Sequence, residues 1–362
     1  MIRTYKFRLY PTAEQQDKIQ FTIERCRLLY NRLLDERIHT YKMEGKSLTY
    51  RQQANTFSDR KQYIPSLKEV HSQVLQDVAR RLDKTYQSFF RRVKNGEKAG
   101  FPRFKTQSRY DSFTYPQTGF SLGGKHIQLS KIGSVRIKLH RQPQGTMKTC
   151  TVTVKNSRYY VCLSCEVEAQ PLPKANHCVG VDLGVKHLAA TSDGQRFAAP
   201  NYLRNSEVKL RRQQKEVSRK QRGSKRRWKT VMVLARQHER VANQRKDYAH
   251  QISRILVNSY DIIAFEDLNV QGMLKNHQLA KSIADAGWSQ LVQFVAYKAE
   301  SAGRHVVRVD PRHTSQCCST CSKIVYKTLA ERVHCCPHCG TTLDRDVNAA
   351  INILMRALRS VL

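Results

Sequence analysis

Four cysteines in two matched pairs constrain this chain more than any other feature. Cys318 and Cys321 stand two residues apart, and after fourteen residues Cys336 and Cys339 repeat the spacing. Two such knuckles place four thiolates around one tetrahedral zinc. Whatever else the chain folds into must therefore bring residues 318 and 339 together. Gly340, directly after the second knuckle, suits a tight turn there. Cys317 and Cys335 each precede a knuckle, so the ligand register is open by one residue. Six of the eleven cysteines lie between 317 and 339. An odd total clustered in this way does not suit a secreted disulfide framework; it suits a reduced compartment. Four thiolates leave no coordination position for chemistry, so the expected role is structural.

Charge is the second constraint. The chain carries 64 Lys and Arg against 29 Asp and Glu, a net +35. Such a charge repels itself and weakens the compact state unless a polyanion neutralises it. Nucleic acid is the expected partner, and an acidic membrane surface the alternative. At 362 residues the chain exceeds the roughly 250–300 at which single cores stop growing, which predicts at least two domains. No apolar run approaches the roughly 20 residues of a membrane span. The opening MIRTYKFRLY has no apolar stretch behind its charges, so no secretory leader is expected and the predicted location is cytoplasmic.

Residues 2–10 alternate as a half-buried strand, with Tyr5, Phe7 and Leu9 on one face. Thr12 and Gln15 resemble a capping box opening a helix to about Tyr41, with Ile19, Ile23, Cys26, Tyr30, Leu33 and Leu34 inward. A second helix is expected over 66–94, its apolar stripe being Val70, Val74, Val78, Leu82, Phe89 and Val93. Residues 96–171 are rich in turn signals, and short strands fit 127–129, 133–139, 147–155 and 158–168. This predicts a small barrel or meander that includes the first strand, with the helices of 12–95 inserted. Cys162 and Cys165 lie in a strand pattern, where residues three apart face opposite ways, so they are not expected to share a metal.

From His177 the pattern changes. Residues 177–190 read as a strand, Asp193-Gly194 as a hairpin turn and 195–198 as its return strand. Residues 205–257 read as a basic helical insertion, broken near Gly223-Ser224; positions 209–229 hold eleven Lys or Arg and one acid, Glu216. A buried strand over 261–265, a helix over 287–303 with Trp288, Leu291, Val295 and Tyr297 inward, a strand over 305–309 and a last helix over 346–357 follow. Without the insertion and the cysteines, the order is strand, strand, short strand, strand, helix, strand, helix. That is the outline of a ribonuclease-H-like fold.

This outline brings three carboxylates to one edge: Asp182 in GVDLG, Glu266 at the end of DIIAFE, and Asp346 opening DRDVNAAINIL. Together they would repel unless divalent cations neutralised them, and oxygen ligands favour Mg²⁺, with Mn²⁺ in its place. Each has a plainer reading. Asp346 could be a helix cap and Glu266 could pair with a base. Asp182 interrupts an apolar strand, where an unpaired carboxylate is costly. Asp267 and Asp344 are the positional competitors.

The blocks GVDLGVK, AFEDLNV, VDPRHTSQ with CSTC, CPHCG and DRDVNAAINIL, together with YKFRLYPTAEQ and GFPRFK, resemble the signature blocks of the TnpB family. The resemblance runs in order over residues 1 to about 355. It implies a multidomain protein of the α+β or α/β class. Residues 1–11 and 96–171 would form a β-barrel wedge domain and 12–95 a helical recognition lobe. Residues 172–310 and 341–362 would form a RuvC-type, ribonuclease-H-like nuclease domain, with 311–340 a zinc ribbon inserted in it. It implies an RNA-guided DNA endonuclease of a bacterial or archaeal transposable element, with Asp182, Glu266 and Asp346 as the acids of a two-metal centre. A guide RNA and target double-stranded DNA would be its partners, no membrane would be involved, and a monomer is favoured. DNA binding would associate it with the nucleoid.

On this reading the basic run Lys209, Arg211, Arg212, Lys215, Arg219, Lys220, Arg222, Lys225, Arg226 and Arg227 lines a channel and contacts backbone. The polar residues Arg51, Gln52, Asn55, Gln73 and Gln76 of the helical lobe are candidates for reading a short target-adjacent motif. Two alternatives remain. One is a guide-RNA-dependent repressor that does not cut. The other is a metal-dependent transposase acting without RNA. A tyrosine type would need two His flanking one apolar residue, and no two of the thirteen His are two apart.

Overall fold

The computed structural model describes residues 1–328 and 331–361. Residues 329 and 330 of the expected ribbon, and residue 362 of the expected nuclease domain, lie outside the described residues. The chain divides into two compact units, Met1–Glu168 and Ala169–Leu362.

The first unit opens with strand β1 (Ile2–Tyr10). Four helices follow: α1 (Ala13–Glu44), α2 (Tyr50–Asn55), α3 (Phe57–Tyr63) and α4 (Ser72–Lys94). Strands β2 (Ser112–Tyr115), β3 (Phe120–Gly123), β4 (His126–Leu129), β5 (Gly133–Lys138), β6 (Thr146–Lys155) and β7 (Arg158–Glu166) complete it. The seven strands form one sheet in the order β2-β6-β7-β1-β5-β4-β3. β1 is therefore central, antiparallel to both neighbours, with Tyr5 opposite Leu163 and Leu9 opposite Ile137. Its alternation is as expected: Tyr5, Phe7 and Leu9 are buried, while Lys6 lies 4.2 Å over the Tyr160 ring. The ladder has β2 and β3 as its edges. Side chains draw these ends together, since Tyr115 on β2 meets Phe120 on β3 and its hydroxyl donates to the Ser130 carbonyl at 2.8 Å.

Thr12 caps α1 with the reciprocal Gln15 bond, and all six residues expected on its inner face are buried. Helices and strands share a single core, in which Ile19, Tyr30, Val78 and Leu82 meet Phe113, Tyr115 and Val161. The segments distinguished in the sequence as barrel and helical insertion are thus continuous in packing. Cys165 is buried and Cys162 lies on the other face of β7. The stripe of α4 departs from expectation. The helix starts at Ser72 rather than 66, so Val70 is buried ahead of it; Val74, Val78 and Leu82 are buried on it, but Phe89 is only partly covered and Val93 is exposed. The helix outruns the core beneath it.

The second unit begins with β8 (Cys178–Asp182), β9 (His187–Thr191) and β10 (Arg196–Ala198). The single strand expected over 177–190 is thus two, separated by 183–186. The break is held where the Trp288 indole N–H donates to the Gly184 carbonyl at 3.2 Å. The basic insertion is a helical pair, α5 (Tyr202–Ser218) and α6 (Lys225–Ser259), with Ser224 capping α6 by accepting from the Arg227 N–H at 3.1 Å. Then come β11 (Ile262–Glu266), α7 (Val270–Met273), α8 (Ala280–Ala286), α9 (Trp288–Ala302), β12 (His305–Val309), the ribbon strands β13 (Val333–Cys335) and β14 (Thr342–Asp344), and α10 (Arg345–Val361). Tyr297 on α9 is partly exposed rather than core, because two residues beyond Val295 carries it about 200° around the helix.

The five-stranded sheet has the order β10-β9-β8-β11-β12. β8 and β9 are antiparallel, as are β9 and β10, whereas β11 is parallel to β8 and β12. This is the ribonuclease-H-like order 3-2-1-4-5 predicted in outline. Val179, Val181, Ile263 and Phe265 face the core made with α6 and α9. Ala264 faces Ile353 and Ala357 of α10 on the other side. α10 crosses so close that a Cβ on Gly180 would sit 1.9 Å from the Ala350 carbonyl oxygen. Backbone cannot yield there as a side chain would. Gly180→Ala should destabilise the fold by about 1–3 kcal/mol or more, read as a lower urea midpoint. An unchanged midpoint would mean that α10 does not pack as described.

Candidate active site and metal centre

Strand pairing sets the first two acids side by side. Gly180 is opposite Ala264 and Val181 opposite Phe265. One residue further, Asp182 and Glu266 end neighbouring parallel strands on the face that α10 covers. Asp346 lies in the first turn of α10 and is buried. The three acids, 84 and 80 residues apart in the chain, thus meet at the carboxyl edge of the sheet.

Their electrostatics carry the signature of crowding. Burial, then the charges of Glu266 and Asp346, raise the Asp182 carboxyl to about 8, only partly offset by Arg345 and the Leu183 N–H. Burial also raises Glu266, against a hydrogen bond from the Thr314 hydroxyl and the charge of Arg356. Among the described residues the cysteine group alone draws three or more ligand atoms within 4.8 Å of one another, so the carboxylates form a wider set. A wider set suits two cations about 3.5–4 Å apart better than one.

The competing roles fall to other residues. Asp344, not Asp346, caps α10: its carboxylate accepts from the Asp346 N–H at 2.9 Å and the Val347 N–H at 3.3 Å. Asp344 also pairs with Arg196 at 3.1 Å, and Asp267 is exposed beside Arg308 at 3.4 Å.

The cysteine cluster closes as a set. The sulfurs of Cys318, Cys321, Cys336 and Cys339 all lie within 4.8 Å of one another, with Cys318–Cys339 and Cys321–Cys336 at 3.6 Å. A tetrahedron of Zn–S bonds of about 2.3 Å has edges of about 3.8 Å, so the cage fits a zinc ion. Protonation tells the same story. The Thr341 hydroxyl and amide hold Cys339 down to about 6. Cys321, in spite of the Lys323 amide, is pushed up to about 12 by burial and by Cys336, Cys339 and Cys318. Four thiols cannot all ionise in one place without a cation. The open register is resolved geometrically: the Cys317 sulfur turns to the Ser322 carbonyl at 3.1 Å, and Cys335 is exposed on β13.

Sequence reading missed the residues that join ribbon to helix. Asn348 and Asn352 are buried on α10. The Asn348 amide accepts from the Ser319 N–H at 2.9 Å and donates to the Cys317 carbonyl at 2.8 Å. Asn352 donates to the carbonyls of Cys317 at 2.7 Å and Thr314 at 2.9 Å. Two amides four apart amid apolar helix residues were the available signal, since such groups are retained where they have partners.

The nucleic-acid candidates divide. Lys209, Arg211, Arg212 and Lys215 are exposed on α5, as are Arg219, Lys220 and Arg222 in the turn and Lys225 and Arg226 on α6; Arg227 is half-buried. Arg211 pairs with Glu207 at 2.7 Å and Arg212 with Glu216 at 3.7 Å. In the first unit Arg51, Asn55 and Gln76 are exposed. Gln52 and Gln73 are already engaged: the Gln52 amide oxygen accepts from the Thr49 N–H at 2.8 Å, and that of Gln73 from the Thr118 N–H at 2.9 Å. Bidentate reading of adenine needs that oxygen, which favours Gln76 over the other two glutamines.

Comparison with known proteins agrees with the fold and the kinship. A family described as "Probable transposase" matches residues 160–277, a "Cas12f1-like, TNB domain" matches 288–353, and a "Helix-turn-helix domain" matches 1–46. Residues 1–46 here are a strand and one long helix. The chain is 34% identical to a Streptomyces pristinaespiralis protein named "Putative RNA-guided DNA endonuclease", over 98% of this chain and 89% of that one. It is 32% identical to the Escherichia coli K12 protein named "Putative RNA-guided DNA endonuclease InsQ", over 98% and 92%. The solved mini-RNA-guided endonuclease CRISPR-Cas_phi3 shares the fold, with a TM-score of 0.53 at 10% identity, over 99% of this chain and 92% of that one. With near-full-length kinship, signature blocks in order and a ribonuclease-H-like sheet carrying a four-cysteine ribbon, the chain belongs to the TnpB family of transposon-associated proteins.

Proposed function

We propose that this protein is an RNA-guided, divalent-metal-dependent DNA endonuclease of a transposable element. It cuts DNA complementary to a bound guide RNA, beside a short target-adjacent motif. The observation that carries the reading is the meeting of Asp182, Glu266 and Asp346 at one edge of a ribonuclease-H-like sheet, in a chain related over nearly its full length to proteins named as RNA-guided DNA endonucleases. No helix among the described residues is long and apolar enough to cross a membrane. The activity belongs in the cytoplasm, at the nucleoid when DNA is bound.

Asp182, Glu266 and Asp346 would hold the catalytic cations, Mg²⁺ or Mn²⁺, whose chemistry would be to lower the pKa of a water and to neutralise charge on the phosphodiester's leaving oxygen. The Thr314 hydroxyl fixes one oxygen of Glu266 by its hydrogen bond, leaving the other for a cation. Arg345, 3.4 Å from Asp346, lessens the mutual repulsion of the acids without removing it. Cys318, Cys321, Cys336 and Cys339 hold a structural zinc. Lys209, Arg211, Arg212, Lys215, Arg219, Lys220, Arg222, Lys225, Arg226 and Arg227 grip nucleic-acid backbone, while base pairing with the guide supplies sequence choice. Arg51, Asn55 and Gln76 read the target-adjacent motif, with Gln52 and Gln73 as their structural supports.

Replacing the guide segment of the co-purified RNA tests the function. The cut site should move to DNA matching the new guide. A cut site that stays where it was would leave a direct DNA-binding nuclease or transposase. Guided binding without cutting would leave a repressor.

A further inference from the structure

The apolar stripe of α4 continues past the end of its core. Phe90 and Val93 are 55% and 53% exposed, and Phe101 and Phe104 in the following segment are 49% and 51% exposed. These rings are not scattered. Phe89 lies 5.2 Å from Phe90 and 5.4 Å from Phe101, and Tyr86 lies 5.8 Å from Phe101, so four aromatic rings form one cluster. The cluster is held in place. Asn31 on α1 accepts from the Lys105 N–H at 2.7 Å and donates to the Lys105 carbonyl at 3.0 Å, and Arg27 donates to that carbonyl at 3.1 Å. Its surroundings are basic: residues 84–105 contain Lys84, Arg91, Arg92, Lys94, Lys98, Arg103 and Lys105 against one acid, Glu97.

We propose that this aromatic cluster is a stacking platform for an unpaired base of the bound guide RNA. The inference rests on the RNA-guided reading above. Exposed, pre-positioned rings inside a cationic surface are what single-stranded nucleic acid requires, since every base has a face to stack and every nucleotide a phosphate to neutralise. A protein partner with an apolar face would not match seven bases against one acid. RNA is the occupant rather than the displaced DNA strand, because the guide is already bound before any DNA strand is opened. A structured RNA keeps loops and ends whose bases remain unstacked.

The test uses the full chain, without added divalent metal, and an unstructured single-stranded RNA carrying 2-aminopurine. On wild-type protein the fluorescence of the probe should be quenched by stacking. Phe90→Ala and Phe101→Ala, both at half-exposed positions of the cluster, should each weaken binding roughly 5- to 100-fold and relieve the quenching. The salt dependence should stay unchanged, because no charge is lost. Phe90→Trp should restore both affinity and quenching, and Arg91→Gln should instead lower the salt slope. Unchanged affinity and quenching in both alanine variants would overturn the platform. So would an equal loss on fully paired RNA, a loss confined to single-stranded DNA, or a change only in oligomeric state. Wild-type protein that binds no RNA would sink the RNA-guided reading itself. Normal wild-type binding with indifferent alanine variants would sink the platform alone.

Discussion

Asp182→Asn should cut DNA roughly 10³-fold more slowly or worse, yet in the absence of divalent metal it should melt higher than the wild type. The first effect follows from removing a ligand from a site that supplies several kcal/mol of charge stabilisation at about 1.4 kcal/mol per tenfold. The second follows from the repulsion at the site. Burial, with Glu266 and Asp346, lifts the folded Asp182 carboxyl to about 8, against about 4 in an unfolded chain. Between those values the folded state binds the extra proton, so stability is lost as pH rises from about 4 to about 8. The amide has nothing to ionise. Its advantage should be absent at pH 4 and fullest at pH 8, on the order of 1–2 kcal/mol, as expected when a strained functional group is removed. Added Mg²⁺ should raise the melting temperature of the wild type more than that of Asp182→Asn. Melting curves at pH 4 and pH 8, with and without Mg²⁺, decide the matter. Equal melting behaviour of the two proteins at pH 8, with wild-type cutting, would remove Asp182 from the centre.

Cys336→Ser should release zinc and disable cutting together. The binding energy of a thiolate site is folding energy, so loss of the ion loosens the ribbon. The damage travels by named bonds. Ser319 and the carbonyl of Cys317 are held by Asn348, while Asn352 grips Cys317 and Thr314. Thr314 in turn holds Glu266, and Asp346 lies two residues before Asn348 on the same helix. Cutting should fall by roughly 10- to 100-fold even where the acids are untouched, the usual cost of losing supports around a metal site. Asn352→Ala separates the two effects. It should keep one zinc per chain by metal analysis and still lose much of the cutting. Full activity in Cys336→Ser with far less than one zinc per chain would show that the ribbon does not support the centre.

Local signals carried much of this protein. The alternation of Tyr5, Phe7 and Leu9, the capping box at Thr12 and the break at Ser224 were legible because each is decided by residues within a few positions of it. The spacing of Cys318, Cys321, Cys336 and Cys339 was legible for a similar reason: the geometry of one ion dictates the pattern. Failures came where a distant surface decides. α4 continues its apolar stripe to Val93, and only the extent of the sheet beneath determines that the core ends near Leu82. Gln52 and Gln73 read as free polar side chains, and only folding delivered Thr49 and Thr118 to them.

From the sequence alone came the kinds of chemistry available: a four-thiolate knuckle pair, three isolated carboxylates, a surplus of positive charge, and blocks resembling one family. Those follow from residue identity and short-range spacing, which folding does not alter. The tertiary structure alone decided which groups act on one another. Parallel pairing of β8 with β11 put Asp182 beside Glu266, and the close crossing of α10 over Gly180 brought Asp346 to the same edge. It also made Asp344 the helix cap in place of Asp346, and it chose Cys318 and Cys336 over their neighbours. The physical reason is range. Capping, turning and alternation are settled within a few residues, whereas repulsion among carboxylates 80 residues apart exists only after the sheet and helix have packed.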